Sequence, residues 1–248
     1  MSVAVIIPAR YASTRLPGKP LLRETGKYLI QHVCELAARS RWGENAVVAV
    51  DDEGVRAAVE SFGGRAVMTR IDHISGTDRI AEVAANLDVD IIVNLQGDEP
   101  QFEPSALDLL VQLLLDDPTA GMATLMTPIR DAELYRNPNA VKVIADDSGR
   151  ALCFSRAPIP FGRDGEPDLN AEPPPVHLHL GVYAYRRKVL LELASAPPHP
   201  WEQLEKLEQL RFLARGGILR IASIPKAHRG IDTPADYAAF VAAHHAGM

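Results

Sequence analysis

The chain has 248 residues, of which 47% are hydrophobic and 23% charged, so it is long enough and apolar enough to bury the core of a globular α/β domain. Its formal net charge of -6 argues against a nucleic-acid binder that works through a broad basic face. No apolar run reaches the length of a membrane span, and Met1-Ser2 leads directly into the first predicted strand, so we expect neither membrane insertion nor a signal peptide. Cys34 and Cys153 lack metal-ligand spacing and are typical of reduced thiols in a cytoplasmic protein.

The first half of the chain predicts strands that alternate with helices. The pattern predicts strands near 3–7, 46–50, 66–68 and 90–95, and helices near 28–38, 54–62 and 105–115, with a further helix that begins at Ser75 or Thr77. This alternation favours a mainly parallel sheet covered on both faces. The strand at 90–95 is followed by polar residues at 96–99, and ligands of open α/β sheets bind at the carboxyl ends of such strands.

The second half predicts further strands near 122–127, 141–145, 151–154, 182–185 and 218–224, one helix at 204–213, and a last helix capped by Thr233. Residues 157–175 are rich in proline and charge and carry no clear period, which is typical of a loop or of an arm used in self-association. We predict a single domain over residues 1–248, with 157–200 as an arm or dimerisation subregion.

A basic loop follows the first strand. Arg10, Arg15 and Lys19 lie within ten positions, where they repel one another unless an anion lies between them. Ser13 and nearby backbone N–H groups supply neutral donors, so the loop predicts a polyphosphate ligand, and the alternative is a solvated basic turn. A P-loop would need glycine at position 13 and Ser or Thr after the lysine, where this chain has Pro20.

Two aspartates are candidate magnesium ligands. Asp98 follows the strand at 90–95, and Asp232 precedes the cap of the last helix. Mg²⁺ commonly takes one or two carboxylates and completes its coordination with waters and substrate phosphates, so two acids from distant parts of the chain suffice. The alternatives are a turn residue before Pro100 for Asp98 and an ordinary loop acid for Asp232.

Eight segments in the same order give the chain a resemblance to CMP-Kdo synthetases, the 3-deoxy-manno-octulosonate cytidylyltransferases, where Kdo is 3-deoxy-D-manno-octulosonate. They are IPARYASTRLPGKPL at 7–21, MTRIDHISGTDRIAEV at 68–83, VNLQGDEP at 93–100, NPNAVKV at 137–143, FSRAPIP at 154–160, HLGVYAYR at 179–186, LEKLEQLR at 204–211 and GIDTPADY at 230–237. The resemblance covers nearly the whole chain.

This resemblance implies a Rossmann-like nucleotidyltransferase (GT-A-like) fold, an α/β three-layer sandwich with a mainly parallel mixed sheet. It also implies a magnesium-dependent reaction in which Kdo takes CMP from CTP, giving CMP-Kdo and pyrophosphate and activating Kdo for lipopolysaccharide biosynthesis. No covalent enzyme intermediate is expected. The implied partners are CTP and Kdo as substrates and a second copy in a homodimer, without nucleic acid.

The resemblance also assigns roles to individual residues. Lys19, Asp98 and Asp232 are implied to be catalytic, with the two aspartates as metal ligands. The implied nucleotide-binding residues are Arg10, Ser13, Arg15, Lys19, Ser75, Gly76 and Thr77. The implied sugar-binding residues are Gln96, Arg156, His179, Tyr183, Glu208 and Gln209. Each of these has a structural alternative, since His179 and Tyr183 would also suit a strand core and Glu208 a solvated helix face.

Two departures from the family pattern leave the substrate partly open. Tyr28 stands where the family usually has proline, and Val50 where it usually has threonine. An amino-substituted Kdo therefore remains an alternative substrate. A nucleotidyltransferase for another sugar or base, and a catalytically silent nucleotide-binding regulator, are the alternative functions.

Overall fold

The computed structural model describes residues 1–13, 15–73, 75–226 and 230–247, which form two compact units. The first unit contains the described residues of Met1–Leu109 together with those after residue 227. The second contains the described residues of Leu110–Ala227. The arm or dimerisation role predicted for 157–200 stays a prediction.

The first unit is built on a parallel sheet. Its strands are β1 (Val3–Ala9), β2 (Val47–Val50), β3 (Arg65–Met68) and β4 (Ile91–Asn94), in the spatial order β3-β2-β1-β4. All residues of β2 and β4 are buried, as are most of β1, because strands of a parallel sheet are covered on both faces and consist of continuous apolar runs. The parallel sheet predicted from the alternating pattern is confirmed.

Three helices connect these strands in turn, namely α1 (Leu29–Ala37), α2 (Glu53–Ser61) and α3 (Gly76–Ala85), and α4 (Pro104–Asp116) follows β4. Asp52 caps α2 by accepting a hydrogen bond from the backbone N–H of Val55. Ser75 caps α3 in a capping box with Asp78, so of the two predicted starts, Ser75 and Thr77, the structure has the first.

The second unit contains a mixed sheet. Its strands are β5 (Met122–Pro128), β6 (Lys142–Ala145), β7 (Ala151–Ser155), β8 (His177–Arg186) and β9 (Leu219–Ser223). Strand β5 pairs antiparallel with β8 and parallel with β9, and β6 pairs antiparallel with both β7 and β8. Strand β8 begins well before the predicted strand at 182–185, because Leu178 and Leu180 extend its apolar alternation back to His177.

The helices of the second unit are α5 (Ala132–Arg136), α6 (Arg187–Ser195), α7 (Pro200–Glu205) and α8 (Gln209–Ala214). The predicted single helix at 204–213 is wrong. Lys206 adopts a φ of 54°, in the left-handed region, and ends α7 there. Arg211 of α8 then donates to both carboxylate oxygens of Glu202, at 2.7 and 2.6 Å, and this buried ion pair joins the two helices.

The last helix, α9 (Pro234–Ala246), belongs to the first unit. Thr233 caps it and Pro234 occupies its first position, as predicted. Its buried Tyr237 and Phe240 form an apolar cluster with Leu16, Leu29 and Ile231. This packing places the segment that precedes α9 against the loop that follows β1. Among the helices of the described residues, none is both long enough and apolar enough to cross a bilayer.

A fully buried lysine ties together backbone segments of the second unit. Lys142 of β6 donates from Nζ to the carbonyl oxygens of Asn137, Ala140 and Arg156, at 2.9, 2.6 and 2.7 Å. Burial lowers its pKa, but three carbonyl acceptors satisfy all three N–H groups of the ammonium. Lys142 therefore holds the turn before β6 next to the residue that follows β7.

We predict that Lys142→Met destabilises the protein by roughly 3 kcal/mol, because methionine has a similar length but leaves three carbonyl groups without their donor. Equilibrium unfolding in urea measures the change. The control is Lys188→Met, since the Lys188 side chain is 87% exposed and its substitution should change the free energy of unfolding by less than about 0.5 kcal/mol. A loss below about 1 kcal/mol for Lys142→Met would contradict this role.

Candidate functional site

A polar pocket of about 370 Å³ lies in the first unit, at the carboxyl ends of β1 and β4. Its lining brings together residues that the sequence analysis selected from four separate segments, namely Arg10, Ser13, Arg15, Lys19, Ser75, Gly76, Gln96, Asp98 and Asp232. Thr77 is buried within α3 and is not part of this lining. The pocket position agrees with the rule that ligands of parallel sheets bind beyond the carboxyl ends of the strands.

The segment that follows β4 packs closely against the end of β1 and forms part of the pocket lining. Gly97 follows β4 and lies against the end of β1, where a Cβ atom would come within 2.7 Å of the backbone oxygen of Pro8. Any larger residue would push the two segments apart. Gly97 thereby holds the flanking Gln96 and Asp98 against the end of β1.

Lys19 joins the two candidate metal ligands. Its Nζ donates to Asp98 Oδ2 at 2.6 Å, to the backbone oxygen of Ile231 at 2.9 Å and to Asp232 Oδ1 at 3.3 Å. Arg15 Nη2 lies 3.1 Å from the same oxygen of Asp232. The backbone N–H of Ile231 also donates to the backbone oxygen of Asp98, at 2.8 Å. Two acids that are distant in sequence are therefore held at one position, beside the basic loop.

Asp236, the acid of the capping box of α9, orients Asp232. The Asp236 carboxylate accepts hydrogen bonds from the backbone N–H groups of Asp232 and Thr233, at 3.2 and 2.8 Å, and from the Thr233 hydroxyl at 2.7 Å. These bonds fix the backbone at the start of the helix. The Asp232 side chain thus projects from a defined helix terminus.

Glu99 is a third acid in this cluster, and sequence reasoning missed it. Burial raises its pKa to about 8, and the charges of Asp98 and Asp232 add to the effect while Lys19 opposes it. Glu99 is therefore predominantly protonated at neutral pH. The only sequence signal is its position directly after Asp98, which does not reveal how deeply it is buried.

The donor set fits a magnesium ion. Asp98 and Asp232 offer hard carboxylate oxygens close enough together to share the Lys19 ammonium. Within the described ranges, no group of three or more His, Cys, Asp or Glu side chains is arranged to hold a metal. Two carboxylates without a third protein ligand match the preference of Mg²⁺, which keeps waters and substrate phosphates in its remaining positions.

A buried ion pair connects two walls of the pocket and was also missed by sequence reasoning. Arg79 of α3 lines the pocket and donates from Nη2 to Asp51 Oδ2 at 2.8 Å. Asp51 Oδ1 accepts the backbone N–H of Tyr11 in the basic loop, at 2.9 Å. Arg79 Nη1 also donates to the Thr69 hydroxyl at 2.5 Å. One carboxylate therefore links the basic loop to the helix on the other side of the pocket.

The five remaining predicted sugar-binding residues, Arg156, His179, Tyr183, Glu208 and Gln209, lie in the second unit. His179 and Tyr183 are neighbours on β8, with ring centroids 5.4 Å apart. Burial raises the pKa of Tyr183, and the charges of Tyr185 and Glu208 raise it further. His179 and Tyr183 therefore form one cluster.

Arg156 donates several hydrogen bonds within the protein, whereas the side-chain amide nitrogen of Gln209 donates none in the described residues. Arg156 donates from its backbone N–H to Glu205 Oε2 and from Nε to the Glu205 backbone oxygen, at 2.9 and 2.6 Å, and from Nη1 to the backbone oxygen of Pro138. Gln209 is buried, and within the described part of the chain its Nε2 has no acceptor. A buried amide without an acceptor is costly, which indicates a place for a ligand oxygen.

Comparisons with known proteins agree with one another. The sequence model of the cytidylyltransferase family matches residues 4–222. A 3-deoxy-manno-octulosonate cytidylyltransferase from Syntrophotalea carbinolica is 47% identical over 100% of both chains. A solved CMP-2-keto-3-deoxy-manno-octonic acid synthetase in complex with CTP is 43% identical, covers 100% of both chains and superposes with a TM-score of 0.93. A putative glucose-1-phosphate thymidylyltransferase from Bacillus anthracis, 16% identical over 98% of this chain and 95% of its own with a TM-score of 0.68, shares the fold.

We predict that Glu99→Gln makes stability less dependent on pH between 6 and 9. Because the folded-state pKa is raised from 4.5 to about 8, the folded protein keeps a proton that the unfolded chain has released, so stability falls as the pH rises from 4.5 and levels off above about 8. Urea unfolding at pH 6 and pH 9, in buffer with a chelator and no divalent ion, measures the effect. Equal pH dependence in the wild type and the variant would count against a partly buried, protonated Glu99.

Proposed function

The chain belongs to the cytidylyltransferase family, in its branch of 3-deoxy-manno-octulosonate cytidylyltransferases, and from this premise we propose how its residues carry out the reaction. The protein transfers CMP from CTP to the anomeric hydroxyl of Kdo and releases pyrophosphate. The observation that carries the mechanism is the Lys19 ammonium bonded to both Asp98 and Asp232 beside the basic loop.

The basic loop binds the triphosphate. Arg10, Arg15, Lys19 and the Ser13 hydroxyl all line the pocket, so three cations and a neutral donor converge on one volume. Lys19 and Arg15 also pair with Asp98 and Asp232, and Arg10 adds a further cation to the same lining, so the loop offers positive charge to a phosphate ligand. Arg supplies paired donors and Lys a point charge to phosphate oxygens.

The start of α3 forms the wall next to the nucleoside. Ser75 and Gly76 line the pocket, and the Ser75 capping box fixes their backbone. We assign this short polar segment to the nucleoside part of CTP. The Asp51–Arg79 ion pair keeps it at a fixed distance from the basic loop.

Asp98 and Asp232 are the residues that would hold Mg²⁺. When bound, the ion polarises the phosphoryl group and lowers the pKa of a coordinated hydroxyl. Lys19 keeps the two carboxylates together and reduces their mutual repulsion. Asp236 holds the backbone of Asp232 in place.

The sugar is a carboxylate with several hydroxyl groups, so its site needs a cation and neutral hydrogen-bonding groups. In the second unit, Arg156 is a cation and Gln209 is an amide without an acceptor in the described structure. His179 and Tyr183 add neutral groups, because burial lowers the pKa of His179 to about 3 and raises that of Tyr183. We propose that these side chains select Kdo.

The reaction needs no covalent intermediate. The Kdo hydroxyl attacks the α-phosphorus, the bond to the pyrophosphate oxygen breaks, and the hydroxyl proton is released to solvent. Catalysis then consists of positioning the two substrates and neutralising charge on the phosphoryl group.

The same proposal includes the compartment, the use of the product and the oligomeric state. The enzyme acts in the cytoplasm, where its product supplies Kdo for lipopolysaccharide. It also works as a homodimer, with residues 157–200 as the subregion used in self-association.

The test of this function is pyrophosphate release by the purified protein. We expect release only when CTP, Kdo and Mg²⁺ are all present. The signal should be lost when UTP replaces CTP, when an acidic sugar of another size replaces Kdo, or when a chelator removes Mg²⁺. An amino-substituted Kdo belongs in the same panel. Silence with the complete mixture would refute the function.

We predict that Asp98→Asn lowers kcat by at least about 100-fold, because the neutral amide removes half of the charge that would hold the metal. Asp88→Asn is the matched control, since Asp88 is exposed and does not line the pocket. The kcat of this control should equal that of the wild type. A kcat for Asp98→Asn within a few-fold of the control would remove Asp98 from the mechanism.

A further inference from the structure

The Thr124 hydroxyl lies at the centre of a small hydrogen-bond group in the second unit. Thr124 of β5 is fully buried, and its Oγ1 lies 3.0 Å from the carbonyl oxygen of Leu180, 2.8 Å from that of Val182 and 3.0 Å from Nε2 of His179. All three partners belong to β8, which carries the cluster assigned to the sugar.

An irregularity in the sheet creates this arrangement. Thr124 pairs with Tyr183 and Leu125 with Leu180, so β8 inserts Gly181 and Val182 between two consecutive positions of β5. Such a bulge interrupts the regular ladder and reorients nearby carbonyl groups. Here the carbonyl groups of residues 180 and 182 both face the Thr124 hydroxyl.

The proton count decides how His179 must bond. A hydroxyl has one proton, and carbonyl oxygens can only accept, so the Thr124 proton is directed at the carbonyl groups. With its proton directed there, Thr124 Oγ1 is an acceptor for Nε2 of His179, 3.0 Å away. This arrangement favours the tautomer with the imidazole proton on Nε2.

The imidazole is also held in place and kept neutral. Its ring packs edge-on against Phe154, with centroids 4.8 Å apart, and at a tilt of 49° against Tyr183. Burial lowers the pKa of His179 to about 3, so one ring nitrogen carries a proton and the other does not near neutral pH. Within the described residues, Nδ1 of His179 has no hydrogen-bond partner, and in this tautomer it is an acceptor.

We propose that Thr124 is a positioning residue that fixes His179 as the Nε2–H tautomer, so that Nδ1 accepts a hydrogen bond from a hydroxyl group of the sugar. The inference rests on the proposed function for the identity of the sugar, but the tautomer itself does not depend on it. An acceptor at this point favours the polyhydroxyl part of the substrate over its carboxylate, which can only accept.

Nuclear magnetic resonance of protein labelled with ¹⁵N-histidine tests the tautomer directly, because protonated and unprotonated ring nitrogens have well-separated ¹⁵N shifts. The spectrum of the wild type, with the His179 signals assigned by their loss in His179→Gln, should show a protonated Nε2 and an unprotonated Nδ1. A protonated Nδ1 would overturn the proposal, and this measurement needs neither substrate nor activity.

Kinetics of two matched variants test the consequence for the sugar. Thr124→Val removes the acceptor and should raise the KM for Kdo about tenfold while the KM for CTP is unchanged, which corresponds to the loss of one hydrogen bond. Thr124→Ser keeps the hydroxyl and should retain both the wild-type KM and the wild-type tautomer. Thermal unfolding of each variant reports on stability separately.

The outcomes separate this inference from the function it rests on. If Thr124→Val, or Thr124→Ala should the valine variant not fold, leaves the KM for Kdo unchanged in an active enzyme, the role of the Nδ1 acceptor is refuted although the function stands. If the wild type releases no pyrophosphate from CTP and Kdo, the function fails, and the assignment of the acceptor to the sugar fails with it. In that case an Nε2–H tautomer measured by nuclear magnetic resonance would still describe His179, but it would not imply a role in sugar binding.

Discussion

The ammonium of Lys19 is the interaction on which the pocket depends. It bonds to Asp98, which follows β4, and to Asp232, which precedes the last helix, and so joins three distant segments of the chain at one point. Two carboxylates that share one ammonium lie close enough to repel each other, and the charges of both act on a third acid, Glu99. The cluster is tolerable because Lys19 supplies an opposite charge and Glu99 holds its proton.

Rigid elements keep this cluster in place. The parallel strands β1 and β4 are buried and apolar, so their carboxyl ends give the basic loop and Asp98 fixed starting points. Asp236 fixes the terminus that carries Asp232, and α9 packs on the apolar residues flanking Lys19. A site that orients a triphosphate and an attacking hydroxyl gains its rate from such preorganisation.

The sequence predicted those features that depend on local patterns. Alternating apolar runs indicated the parallel strands, and the caps at Ser75 and Thr233 followed from side chains that bond to their own helix. The break at Lys206 was missed because apolar residues continue at helical spacing across it. The pairing of Asp51 with Arg79 was missed because it joins residues 28 positions apart through the fold, and no local rule links them.

The central claim is that Asp98 and Asp232 act as one unit, and a double-mutant cycle on kcat tests it most directly. Asp98→Asn, Asp232→Asn and the double variant are compared with the wild type at saturating CTP, Kdo and Mg²⁺. If both carboxylates are needed to bind the same Mg²⁺ ion, the double variant loses no more activity than the worse single variant. If the two losses multiply instead, the carboxylates act independently and the account is contradicted.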